Sequence, residues 1–300
     1  MIAGRFRLLG QESSEALNRF VYYFALPPLL FLGMARVPVG QIFNLPFLAA
    51  YVGGAAIVFV IIVIVARLLF PGRLAQLALG AMSGSFANTG YMGIPLFMTA
   101  YGPDGMLPVI ISTVINSALM VGGVVALIEI DVQRGAGAWS AARRVGAALA
   151  VNPLVVAPLA GIAWSAVGLS IPKPLGTFGD LMGAAAGPCA LFAIGLFLAT
   201  RSLKTLVGGR KIVEVGWLIS AKLILEPLIT WGLAVYFGLD PFWVASSVIL
   251  AALPTGALAF VLASNYKVFV ERTSAVILGS TVISVLTLSA VMVAFADVRP

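Results

Sequence analysis

Polar and charged positions are so sparse along this chain that apolar stretches dominate its pattern. Charge-free runs cover residues 20–35, 37–66, 74–103, 105–128, 145–172, 181–200, 241–266 and 273–296, and a ninth apolar stretch at about 212–238 is broken only by Glu214, Lys222 and Glu226. Most are long enough to cross about 30 Å of hydrocarbon, which takes roughly 20 helical residues. The pattern predicts nine helical spans, near 14–35, 44–69, 74–100, 106–130, 146–169, 176–200, 212–238, 242–265 and 273–296. Composition agrees: 61% of the 300 residues are hydrophobic and 10% charged, with a mean hydropathy of +1.08, far from the balance of a soluble domain. The expected class is an all-α integral membrane protein whose first partner is the lipid bilayer.

The net charge of +7 raises nucleic acid as a partner, but its distribution argues against one. When loops alternate sides, one face collects Arg5, Arg7, Arg19, Arg67, Arg73, Arg134, Arg143, Arg144, Arg201, Lys204, Arg210, Lys211, Lys267 and Arg272. The other holds Arg36, Lys173 and Arg299, and Lys222 stays within the membrane. This asymmetry follows the positive-inside rule and predicts a cytoplasmic N-terminus and an external C-terminus in a cell (inner) membrane. With one cysteine, Cys189, and no histidine, disulfide frameworks, histidine metal sites and histidine-based triads are excluded, and no cofactor is expected. The polar stretch from Met1 to Asn18 lacks the apolar core of a signal peptide.

Two apolar segments carry internal breaks. Asn88-Thr89-Gly90-Tyr91-Met92-Gly93-Ile94-Pro95 interrupts the third span and Leu253-Pro254-Thr255-Gly256 the eighth, the two Thr-Gly pairs standing at an offset of 166. Proline removes a helix donor and displaces the carbonyl four residues back, here Tyr91 or Leu250. In lipid, such freed groups persist only where protein or water meets them. Paired interruptions in two halves of a membrane chain point to a midplane substrate site. Leu30-Phe31 with Leu191-Phe192 and Ser112-Thr113-Val114-Ile115 with Ser280-Thr281-Val282-Ile283 extend the duplication at offsets of 161 and 168. The span at 146–169 then lacks an upstream partner, as in a five-helix repeat whose first helix is missing; an odd repeat inverts its second copy. The expected units are 1–135, a first repeat short of one helix, and 136–300, a complete inverted repeat.

Half-helix N-termini at the breaks offer N–H groups and partial positive charge to a carboxylate. Candidate substrate contacts are Asn88, Thr89, Gly90, Pro95, Pro254, Thr255 and Gly256; Ser83 and Ser85 serve close packing at least as well. Thr113 and Asn116 share one face of the fourth span, where Asn116 could equally be interhelical glue. Lys222 and Glu226, four residues apart, are intramembrane charges and so functional candidates. They read either as a self-neutralising structural pair or as an anion-binding lysine held by Glu226, which then becomes the candidate for proton coupling.

The motifs Phe86-Ala87-Asn88-Thr89-Gly90-Tyr91-Met92-Gly93-Ile94-Pro95-Leu96, Ala251-Ala252-Leu253-Pro254-Thr255-Gly256 and Asn152-Pro153 resemble the auxin efflux carrier family, which includes plant PIN-type carriers and bacterial carriers of malonate or malate type. The resemblance, from about Gly4 to the C-terminus, implies two inverted five-helix repeats, an architecture shared with bile-acid sodium symporters, and a crossover of broken helices beside the substrate. It implies a secondary carrier of a small organic anion, mono- or dicarboxylate, working by alternating access, and it is compatible with a homodimer. It also implies that spans 44–130 and 212–296 move against a scaffold of 14–35, 146–169 and 176–200. Family members begin with an apolar helix of which only Ile2 to Leu9 resembles the tail; a late start codon and a truncation both account for this. Sodium coupling of bile-acid-carrier type, a non-transporting subunit and an intramembrane enzyme stand as alternatives, the last disfavoured by the absence of histidine.

Overall fold

The computed structural model describes residue 9 and residues 11–38, 44–70, 72–102, 105–132, 138–200 and 209–300. Arg5, Arg7, Arg134, Arg201 and Lys204 of the charge pattern lie outside them. Every regular element among the described residues is a helix. Helix α1 runs from Gln11–Phe20 through a π turn, Val21–Ala25, into Leu26–Ala35; α2 is Leu45–Leu69. The third apolar stretch holds α3 (Leu74–Ser85) and, after a break and a π turn at Thr89–Gly93, α4 (Ile94–Tyr101). Then come α5 (Met106–Val132), α6 (Ala138–Val151), α7 (Pro153–Val167) and α8 (Lys173–Thr200). Helix α9 joins Arg210–Ser220 to Glu226–Tyr236 through a π turn at Ala221–Leu225, and α10 (Pro241–Ala251), α11 (Leu258–Tyr266) and α12 (Val270–Ala294) complete the chain.

Helices α2, α5 and α12 are long and apolar enough to cross a membrane, and α6 with α7 forms a further pair bent by 67°. Asn152 and Pro153 cause that bend: the Asn152 side chain accepts the Leu154 N–H at 2.9 Å, capping α7, while proline occupies the first turn. Helix α2 shows how the apolar pattern resolves into two environments. Asn44 caps it by accepting the Phe47 N–H; Phe47, Tyr51, Ala55, Val58, Ile62 and Ala66 then form one buried stripe at helical spacing. Ile57, Val60, Ile64 and Leu68 on the other side are exposed, as lipid-facing residues are.

The three π turns among the described residues have one sequence cause. Each precedes a proline by the same step, Ala25 before Pro27, Gly93 before Pro95 and Leu225 before Pro227. Proline cannot donate to the i−4 carbonyl, and the ladder widens so that the N–H groups of Leu26, Ile94 and Glu226 donate five residues back, to Val21, Thr89 and Ala221.

Small residues set the close contacts. Gly161 of α7 lies against the Phe31 carbonyl of α1, where an added Cβ would come within 2.4 Å, and Gly54 of α2 lies against Thr230 of α9, where it would come within 2.3 Å. Helix α1 packs on α7 and α8, whereas α2 packs on α3 and α9, and α9 on α10 and α12. The two groups meet in a buried core where Leu26 and Leu30 face Phe86, Val121, Ala257 and Leu258.

Candidate functional site

The two breaks cross each other at the centre of the fold. Ala87 and Thr255 form an antiparallel bridge, the only isolated extended pairing among the described residues. The Asn88 N–H donates to the Pro254 carbonyl at 2.8 Å, and the Gly256 N–H to the Phe86 carbonyl at 2.9 Å. Thr255 secures the crossing from both ends: its hydroxyl donates to the Ser83 carbonyl at 2.7 Å, and its N–H donates to the Ser280 hydroxyl at 3.1 Å. Backbone freed from helical bonding is thus paired within protein, as membrane depth requires. Glycine is needed at 256 because a Cβ would sit 2.7 Å from the Phe86 ring and 3.1 Å from the Ala87 carbonyl.

The first break falls at Phe86–Asn88, ahead of the proline that marks it in sequence, because the π turn absorbs the missing donor of Pro95. Pro95 is exposed in the first turn of α4, away from the crossing, whereas Pro254 is buried at it. At the second break the terminal carbonyl with a side-chain donor is that of Ala251, not Leu250. Ser83 and Ser85 hydrogen-bond back to Leu79 and Ala81 of their own helix, and Ser83 also meets Thr273 at 3.0 Å, so both serve packing.

A cavity of about 40 Å³ adjoins the crossing. Its polar lining is Asn88, Thr89, Gly90, Thr113, Ser117 and Gly256, and Leu26, Leu29 and Leu30 of α1 close it. The N-terminal ends of both half-helices, Thr89–Tyr91 in the π turn ahead of α4 and Gly256–Leu258 at the start of α11, line this one space. The dipole of each half-helix therefore places partial positive charge at this space. The Asn88 side chain is half-buried and makes no hydrogen bond among the described residues. Thr113 and Ser117 also line the cavity, their hydroxyls donating in this form along α5 to the Val109 and Thr113 carbonyls rather than into it. Ser117 was not singled out from sequence; its spacing of four from Thr113 was the available signal. The space suits a few water molecules, not a dicarboxylate, so the crossing is occluded.

Asn116 does not line this cavity. It is buried beside the Tyr51 hydroxyl, between α5 and α2. Lys222 and Glu226 are also set apart from it. Both are completely buried, the Lys222 ammonium donates to Glu226 Oε2 at 2.8 Å and to the Ala251 carbonyl at 2.6 Å, and neither borders the cavity. Lys222 sits inside the π turn Ala221–Leu225, and Ala251 is the last residue of α10.

Along the seam between α1 and α11, a wider cleft of about 730 Å³ opens at the basic end of the molecule, lined by Arg19, Lys211, Lys267 and Arg272 together with Glu15 and Glu271. Arg272 pairs with Glu214 at 3.0 Å and Lys211 with Glu271 at 3.8 Å. The Asn18 amide, part of the cleft lining, donates to the Val261 carbonyl of α11 at 3.3 Å.

An all-helical membrane chain with two broken helices crossing in its core has the build of a membrane transporter. Sequence comparison fixes the family: the pattern of the family described as "Membrane transport protein" matches residues 2–292, and the chain belongs to this family, that of the auxin efflux carriers. It is 34% identical over 285 residues to a "Putative malonate transporter" of Rhizobium meliloti, covering 94% of this chain and 87% of that one. It is 25% identical over 281 residues to "Uncharacterized transporter YfdV" of Escherichia coli, covering 91% and 86%. "Auxin efflux carrier component 6" of Arabidopsis thaliana matches over 144 residues at 28% identity, 47% of this chain and 25% of that one. The chain is a multi-pass membrane transporter and not an enzyme.

Proposed function

We propose that this protein is a secondary carrier of small organic anions, of the malonate class, and that the carboxylate binds at the crossing of the broken helices. The observation that carries the reading is the convergence of two half-helix N-termini on one cavity also lined by Asn88, Thr113 and Ser117. Helix N-termini supply directed N–H donors and positive potential without a full buried charge. The Asn88 amide adds a donor free to turn to the substrate.

In this reading the chain makes nine spans, and the repeats at 1–135 and 136–300 are inverted. The crossing is then their meeting point, and the group containing α2 to α5 and α9 to α12 moves against α1, α7 and α8. Opening of the leucine contacts between α1 and α11 would join the crossing to the basic cleft, and closure would return the occluded form. Positive charge at that cleft would raise the local concentration of an anionic solute at the cytoplasmic side. Pro254 and Thr255 shape the crossing, and Gly90 keeps the approach narrow, with its Cβ position 3.4 Å from Thr113. The test is malonate uptake into proteoliposomes by the wild type, Asn88→Ala and Gly256→Ala. The reading expects saturable uptake that either variant lowers by at least tenfold with insertion intact; unimpaired uptake by both variants would overturn it.

A further inference from the structure

The second break ends α10 at Ala251, whose carbonyl is one of the terminal acceptors that a helix leaves without an internal partner, at the negative end of its dipole. A carrier that couples to a metal cation would place the ion against such a carbonyl with a carboxylate beside it. That place is filled here by the chain itself. The Lys222 ammonium lies 2.6 Å from the Ala251 oxygen and 2.8 Å from Glu226 Oε2, with no solvent exposure at either side chain. The π turn ahead of Pro227 delivers the lysine from α9 to this point.

The surroundings are richer in oxygen than one ammonium uses. Glu226 Oε1 and Thr230 Oγ1 are buried and have no hydrogen-bond partner among the described residues, and the Tyr51 hydroxyl, beside Asn116, lies near the Glu226 carboxylate. Buried oxygens of this kind are expensive to leave unpaired. A second cation cannot join them while Lys222 is present, because two like charges at such separations in a low-dielectric interior repel strongly.

We infer that Lys222 is a tethered cation standing in the position of a coupling ion at the second break, so that the carrier works without bound sodium and the place between the Ala251 carbonyl and Glu226 becomes an alkali-cation site when the ammonium is removed. This rests on the carrier reading above and states how the crossing is electrically balanced. It assigns Lys222 no contact with the substrate.

Thermal unfolding of the purified full-length protein in detergent tests this, at one pH near 8 and one ionic strength, in sodium, potassium or choline chloride. The wild type is expected to melt at the same temperature, within about 1 °C, in all three salts. Lys222→Gln is expected to melt about 3 °C or more higher in sodium or potassium than in choline, as ion binding to the native state alone requires. Lys222→Gln with Glu226→Gln is expected to lose that difference, since the carboxylate is gone. A wild-type midpoint raised by sodium over choline, or a Lys222→Gln protein blind to all three salts, would overturn the inference. Should Lys222→Gln fail to fold, uptake by the wild type decides: full rate in sodium-free choline supports the tethered cation, and sodium-dependent uptake refutes it. Adding malonate to the wild-type melt separates the two claims, because absence of a malonate shift counts against the carboxylate reading and leaves the salt comparison intact.

Discussion

Replacing Lys222 by methionine should destabilise the protein far more than removing both charges of its pair. The substitution keeps the volume and apolar stem but leaves Glu226 buried and alone. Breaking a buried pair from one side costs about 3–5 kcal/mol. The Ala251 carbonyl also loses its 2.6 Å donor, and an unpaired buried acceptor costs about 1–3 kcal/mol. Protonation of Glu226 caps the total, so about 4 kcal/mol is expected, a fall in midpoint on the order of 10 °C for a chain of this size. Adding Glu226→Gln removes the uncompensated charge and leaves only the carbonyl term, so the double variant should recover at least about 2 kcal/mol. The assay is thermal unfolding in choline buffer, where no alkali ion can replace the ammonium, with malonate affinity measured alongside. Because neither side chain borders the cavity, the double variant should bind malonate within about threefold of the wild type, a difference under 1 kcal/mol. A Lys222→Met midpoint within about 2 °C of wild type, or a double variant no better than the single, would refute the reasoning. Sharp loss of malonate affinity in the double variant would place Lys222 at the substrate after all.

Gly256→Ala should abolish uptake while the protein still inserts, since its Cβ would meet the Phe86 ring at 2.7 Å and force the two breaks apart; uptake at the wild-type rate would contradict this. Trp139→Ala, at a side chain 84% exposed, should leave uptake within about twofold and the midpoint within about 0.5 kcal/mol of wild type, checked in the same vesicles. On a background with Cys189→Ser, cysteines at 138 and 240 should label from the cytoplasmic and external sides respectively; finding both on one side would overturn the nine-span reading.

The apolar pattern made the helical class and the two breaks legible, because a membrane chain cannot hide either: charge-free length marks helices, and Gly-Pro interruptions mark freed backbone. The precise seat of each break was not legible. Pro95 and Pro254 look equivalent in sequence, but one sits outside the crossing since a π turn shifts the interruption to Phe86–Asn88, and ladder widening leaves no residue signature beyond the proline itself. Asn88, Thr89, Gly90, Thr113 and Gly256 were found from sequence and share one cavity, whereas Asn116, one helical position from Ser117, turns toward Tyr51. Spacing on a single helix cannot distinguish those neighbours, since which flank meets α2 depends on packing between helices. The Lys222–Glu226 pair was visible as a four-residue step, but its third member, the Ala251 carbonyl, is backbone from a distant helix and has no sequence mark.

The most direct measurement of the central claim is counterflow in proteoliposomes preloaded with unlabelled malonate, comparing the wild type with Asn88→Ala. The account expects transient accumulation of external labelled malonate by the wild type and its loss in the variant at equal incorporation. Wild-type vesicles that exchange no mono- or dicarboxylate, or a variant that exchanges as fast as the wild type, would contradict it.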